Sequence, residues 1–248
     1  MDIINLESRE NEKGFTLVEL AVVMIIIGLL IGGILKGQEL ITNARVTTTA
    51  SSMESLSAAY NGFRDQFNAI PGDMGNAVTR ISGCGAVVSC ADAPAANANN
   101  GIINTAVGAA SAGEGLLFFS HLLAANFISD MNGSSATAGL GVTNPTAPVG
   151  GGFLAGDTRG GATAGVFSES TLRAAPHIVL TNAVGGVGGA NVGPVTPAQA
   201  ANIDRRVDDG SPNTGTMAAE NDCNIGATGT AYDEDNQAIS CSIAYRIQ

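Results

Sequence analysis

Glu19 is the residue whose placement most asks for chemistry. It is the one ionisable side chain in the 21-residue run Phe15–Leu35, FTLVELAVVMIIIGLLIGGIL. As a helix that run spans about 31 Å, matching the roughly 30 Å hydrocarbon core of a bilayer. A carboxylate inside such a span costs about 2.5–3.5 kcal/mol to insert, so it calls for a proton, a partner or a function. No His, Lys or Arg lies between Glu19 and Lys36. A compensating charge for Glu19 must therefore come from another chain or from a cation created by processing. The plainer alternative is a neutral, protonated Glu19 near one membrane interface.

The other reactive side chains carry less. The two histidines are His121, within an apolar helical pattern, and His177, just after Pro176, and neither has a GxSxG or papain-type cysteine partner in the sequence. The runs Gly150–Gly152 and Gly185–Gly189 lack the strand, helix and Lys-Ser/Thr ending that a phosphate cradle needs. No enzyme is expected. Asp204, Asp208, Asp209, Asp222, Asp233, Glu234 and Asp235 gather in the last quarter of the chain. Asp233 and Asp235 are calcium candidates there, although the loop lacks the Gly and terminal Glu of an EF-hand and a solvated acidic face is the plainer reading. No other cofactor is expected.

Composition narrows the field. Among 248 residues, 22 acids against 11 bases give a formal charge of −11, which disfavours the nonspecific attraction underlying most nucleic-acid binding. Charged residues amount to 13%, aromatics to 4% and Gly to 33 residues, a poor basis for a deep catalytic cleft. Four cysteines, Cys84, Cys90, Cys223 and Cys241, form an even set that suits an oxidising compartment, so export is expected. They allow three disulfide pairings, and spacing without CxxC or nearby His makes zinc a weak rival.

The segment before the apolar run, MDIINLESRENEKG, has four acids and two bases. An ordinary secretory signal has a basic start, a shorter apolar run and a small-residue cleavage site after it, so the run is read as retained. Arg9 and Lys13 before it are balanced by Lys36 and Arg45 after it, and flanking charge does not set orientation.

Lys13-Gly14-Phe15-Thr16-Leu17-Val18-Glu19-Leu20 resembles the cleavage and methylation motif of type IV pilins and of the pseudopilins of type II secretion. The resemblance covers about the first 35 residues. It implies cleavage after Gly14 by a prepilin peptidase at the cytoplasmic face, N-methylation of Phe15, and a filament in which Glu19 meets the Phe15 ammonium of a neighbouring subunit. A misaligned neighbour would leave a carboxylate unpaired in an apolar setting, and breaking a buried pair costs about 3–5 kcal/mol. Such a pair would fix axial register. The partners implied are copies of itself in a helical filament, other pilins or pseudopilins, the peptidase and an inner-membrane assembly platform. The location implied is a single-pass inner-membrane precursor, then an extracellular or periplasmic filament. The pattern commonly has Pro where this chain has Lys36, a departure that bears on local melting of the helix. Many pilins also have a disulfide-bounded C-terminal region, which Cys223 and Cys241 resemble; the pairing expected is Cys223–Cys241 with Cys84–Cys90. The rival function is a periplasmic binding or enzymatic domain that retains its signal-anchor.

These features need a long scaffold. No Pro occurs between Met1 and Ile70, and Val46, Met53, Leu56, Tyr60, Phe63, Phe67 and Ile70, with Thr49, recur at intervals of three and four. One helix is expected over 16–69, its first half apolar all round and its second half amphipathic. The stripe is expected to lie on the chain's own globular part, with a coiled-coil dimer as the alternative. Gly28, Gly32, Gly33 and Gly37 weaken the helix by up to about 1 kcal/mol each yet permit close helix approach. The resulting organisation is a 1–14 leader, a 15–70 helix with 15–35 in the membrane or filament core, and a 71–248 globular domain.

The globular part reads as α+β, the long helix packed on a small antiparallel sheet with long Gly-rich loops. Residues 74–110 read as irregular. A second helix is expected over 114–128 with Leu116, Phe119, Leu123 and Phe127 as its stripe. Residues 132–200 hold 15 Gly and 5 Pro, with short strands expected at 165–168 and 177–181. Thr196-Pro197 and Gly210 bracket a short helix carrying Ile203 and Val207. In the last strand Ile239, Cys241, Ile243, Tyr245 and Ile247 alternate with polar or small residues, predicting one inward face.

Overall fold

The structure is a computed structural model describing residues 14–161, 167, 172–187, 193–220, 223–225 and 229–247. It is α+β: helix α1 (Leu17–Phe67), the single-turn α2 (Ala77–Arg80), α3 (Gly113–Ala124), β1 (Gly152–Asp157), β2 (Pro176–Thr181), α4 (Pro197–Val207), β3 (Met217–Ala219) and β4 (Ile243–Arg246). The chain falls into two compact units, one ending at Asn43 and the other beginning at Ala44. The expected leader lies outside the described residues except for Gly14, and so does most of the expected strand at 165–168.

In the second unit, the C-terminal half of α1 packs on the globular core through Val46, Ala50, Met53, Leu56, Tyr60 and Phe63, all buried. Thr49, the one polar step of that stripe, is also fully buried. Its hydroxyl donates to the Arg45 carbonyl at 2.9 Å and accepts the Val149 N–H at 3.3 Å, so no polar atom is left desolvated. The helix ends at Phe67 because Asn68 takes a left-handed backbone (φ 46°), and Phe67 and Ile70 are only half-buried.

The strands form one antiparallel sheet in the order β1-β2-β4-β3. β1, β3 and the bounds of α3 differ from the sequence expectation. β1 reads as Gly-Phe-Leu-Ala-Gly-Asp and β3 as Met-Ala-Ala, runs that are buried throughout and so carry no alternation. Helix α3 stops at Ala124 instead of residue 128, and Asn126 takes φ 60°. Its expected stripe is also corrected. Leu117, Phe118, Phe119 and Leu122 are buried, whereas Leu116, Leu123 and Phe127 are half-buried, because the helix packs on more than one side. Phe118 stacks on Tyr60 of α1 at 6.0 Å, while a Cβ at Gly115 would sit 2.7 Å from the Ala155 carbonyl of β1. Gly115 is what allows that approach.

The last strand departs in a third way. Ile239 is 62% exposed, and Ser242 and Ala244, expected to face outward, are fully buried. The sheet is covered on its other face by a second apolar cluster including Val107, Leu154, Val179, Val187 and Ala244. A strand buried on both faces does not obey a two-residue alternation.

Candidate functional site

Glu19 sits in the first turn of α1, three residues after Thr16. The Thr16 N–H and hydroxyl both donate to Glu19 Oε2 at 2.9 Å, and the Glu19 N–H donates to Thr16 Oγ1 at 3.2 Å. This is a reciprocal capping box, satisfying two N–H groups that a helix start leaves without intrahelical partners. Thr16 thus gives Glu19 a hydrogen-bonding partner within its own span, which a search for cationic residues alone does not find. The pattern Thr-x-x-Glu before an apolar run could have signalled it. Thr16 brings hydrogen bonds and no charge, so the demand for a cation is unchanged.

Around this cap the helix presents apolar surface that is exposed among the described residues. Phe15 is 87% and Leu17 90% exposed, and exposed apolar residues continue through Val22, Met24, Ile27, Leu30 and Leu35 to Ile41. Among the described residues a Cβ at Gly28, Gly32, Gly33 or Gly37 would meet no neighbouring atom within 4 Å, so packing against those residues does not require these glycines. Lys36 pairs with Glu39 at 2.8 Å on the exposed surface. Among the described residues α1 is the one helix long and apolar enough to cross a membrane.

Residues 9–35 match the family described as the prokaryotic N-terminal methylation motif. The chain carries that methylation motif. The matched stretch contains Gly14, Phe15 and Glu19 and ends with the apolar run. The motif is the prepilin signature, and it supports a protein of the type IV pilin or pseudopilin class. It points to a structural subunit, implies processing by a prepilin peptidase and assembly with other pilins, and fits a membrane-anchored precursor. No curated protein and no solved structure matches the chain.

The remaining candidates belong to the second unit. His121 is buried in α3, its Nδ1 accepting the Gly72 N–H at 3.0 Å and its Nε2 2.8 Å from the Ala91 carbonyl. Burial holds it below the usual histidine range. His177 is buried in β2 with Nδ1 2.8 Å from the Ala175 carbonyl, and burial pushes its pKa down to about 4. Both rings hydrogen-bond to backbone, the pattern of histidines that hold loops in place. Cys84 is bonded to Cys90 and Cys223 to Cys241, each pair with Cα atoms 5.1 Å apart.

The acidic residues divide. Carboxylates of Asp204, Asp208 and Asp209 approach within 4.8 Å of one another, whereas Asp233 and Asp235 lie outside that group; Asp222 falls outside the described residues. Asp204 is fully buried, accepting the Tyr232 hydroxyl at 2.7 Å and the Gly210 N–H at 3.3 Å. Burial pushes its pKa up to about 6 against the lowering effect of those bonds. Asp208 accepts backbone N–H groups from Thr216 and Met217, and Asp209 accepts those of Ser211 and the hydroxyl of Thr214. Each carboxylate in this group fastens a turn. The Asp204–Tyr232 pair is not legible in the sequence, because a separation of 28 positions hides the contact.

Proposed function

We propose that the chain is a structural subunit of a type IV pilus or pilus-like filament, clipped after Gly14, methylated on the new Phe15 amine and assembled through its N-terminal helix. The observation that carries this reading is the coincidence, in one stretch, of the methylation motif with an apolar helix surface that is exposed among the described residues. Surface of that extent is stable in lipid or against like surfaces, and a filament core supplies the second after the membrane supplies the first.

Glu19 then has a two-stage role. In the precursor its carboxylate caps the helix through Thr16. Cleavage creates an ammonium at Phe15, and a neighbouring subunit at the correct axial offset brings that cation to Glu19. N-methylation keeps the charge and adds apolar surface. The work done is mechanical, without turnover.

Intact-mass measurement of the chain purified from membranes tests the processing: a chain beginning at Phe15 with one added methyl is expected. A chain beginning at Met1 overturns it and favours a signal-anchored periplasmic domain. Glu19→Val tests the register: it inserts at least as well as the parent and yields far fewer filaments. Normal filament yield from that variant would refute pairing through Glu19.

A further inference from the structure

The loop between α3 and β1 contains the one Asn-x-Ser/Thr triplet of the sequence whose middle residue is not Pro, Asn132-Gly133-Ser134. That triplet is the acceptor pattern for N-linked glycosylation of exported chains. The pattern alone is weak, and three features of the loop strengthen it.

Asn132 and Ser134 are exposed while Met131 and Gly133 are buried. The backbone is held by the Asn132 N–H donating to the Gly141 carbonyl at 3.1 Å and the Gly133 N–H donating to that of Val142 at 2.8 Å. The loop therefore offers the acceptor and its hydroxyl partner outward together.

The second feature is electronic. Asn132 Oδ1 accepts from the Ser134 N–H at 3.0 Å and from the Ser134 hydroxyl at 2.7 Å. Two donors on the carbonyl oxygen draw density from the amide and make an Nδ2 proton easier to remove. Nδ2 itself donates to no described residue. Thirdly, Asp130 is exposed two residues before the acceptor, on the rim of an open hollow shared with Thr48, Ser52 and Thr146. A carboxylate at that offset is available to a cationic side chain of a transferring enzyme.

We propose that Asn132 accepts an N-linked glycan from a lipid-linked pyrophosphoryl oligosaccharide. Nδ2 forms a bond to the anomeric carbon as the bond from that carbon to the pyrophosphate oxygen breaks. The electron pair departs on that oxygen, and one Nδ2 proton passes to a carboxylate base of the transferase. The modification rests on the filament-subunit reading to the extent that both require the globular part to leave the cytoplasm.

The test is full-length chain expressed in a Gram-negative host that carries an oligosaccharyltransferase and its lipid-linked donor, beside a control acceptor protein. The expected result is a discrete mass increase of one glycan, placed on Asn132 by tandem mass spectrometry of the parent chain and lost in Asn132→Gln and Ser134→Ala. An unmodified Asn132 peptide in a chain whose four cysteines resist alkylation, while the control acceptor is modified, overturns the proposal. A glycan on a Ser or Thr hydroxyl in its place overturns it equally. Four freely alkylated cysteines would instead show that export failed, which sinks the location shared by both readings; export without glycan sinks only this one.

Discussion

The two halves of α1 are both apolar helix, yet one is covered and the other is bare. Between Val46 and Phe63 the apolar residues recur at intervals of three and four, and Met53 and Phe63 are fully buried. Polar residues such as Thr48, Ser52 and Ser55 occupy other positions of the same turns, their hydroxyls donating to carbonyls four residues back. Between Leu20 and Leu35 Leu, Ile, Val and Gly surround the axis without a polar face, and the large side chains are exposed. A stripe can be satisfied by one partner on one side, and here the globular core is that partner. A cylinder of apolar residues needs partners all round, and the described residues do not supply them. The helix therefore encodes an intramolecular contact in its second half and a demand for lipid or other subunits in its first.

Truncation of one large side chain in each half separates these roles. Phe63→Ala removes a fully buried ring that meets Phe67 at 4.6 Å and His121 at 6.3 Å, and is expected to lower the stability of the globular part by about 3–5 kcal/mol. Ile26→Ala, on the bare half, leaves it unchanged. Denaturant titration of both variants in detergent checks the contrast, and equal losses would mean that the first half also packs on the globular part.

The covalent staples give the next largest effect. Cys223–Cys241 closes a separation of 18 residues and Cys84–Cys90 one of 6. On the chain-entropy estimate their removal as paired Ser substitutions costs about 3 and about 2 kcal/mol respectively. The same titrations read this, and a larger loss from the shorter loop would show that native-state packing, more than chain entropy, sets the contribution.

How much of this was legible in the sequence follows from the range of the forces involved. The long helix, its buried stripe and the short helix from Pro197 follow from periodicity and from Thr196 and Pro197, because those signals act within a few residues. The Thr16–Glu19 capping box is equally local, its signal being the spacing Thr-x-x-Glu before an apolar run. β1 and β3 gave no signal, since strands buried on both faces lose their alternation. The cluster around Asp204 and Tyr232, and the burial of Ser242, depend on contacts far apart in sequence, and no local pattern announces them.

Buried titratable groups in the globular half should give opposing pH dependences. Folding raises the Asp204 carboxyl from 3.8 to about 6, so its proton-linked contribution to stability is present below 3.8 and is lost as pH rises through about 6. Folding lowers His177 from 6.5 to about 4, so its contribution is present above 6.5 and is lost as pH falls through about 4. The two slopes oppose each other over the same window. Asp204→Asn removes the first and leaves the second, so the variant's stability should climb more steeply than the parent's between about pH 4 and pH 6. Denaturant midpoints at half-unit pH steps measure it, and parallel curves would show that Asp204 titrates normally in the folded chain.

The smallest effect compares two capping boxes of the same design, one in each half of the contrast. Thr196 accepts the Gln199 N–H at 3.3 Å while Gln199 Oε1 accepts the Thr196 N–H at 3.0 Å, and α4 packs into the core through Ala200, Ala201 and Ile203. Thr16 and Glu19 make the same exchange on α1, where the surrounding side chains are bare. Replacing a capping Thr by Ala costs about 1 kcal/mol where the helix is coupled to the fold. Thr196→Ala should therefore lower globular stability by about that amount. Thr16→Ala should leave the globular transition in place and appear only as faster amide exchange over residues 16–20, since fraying one exposed turn breaks no core contact. Were Thr16→Ala to shift the global transition as far as Thr196→Ala does, the apolar half of α1 would be part of the folding unit, and the division of the helix into a satisfied and an unsatisfied half would fail.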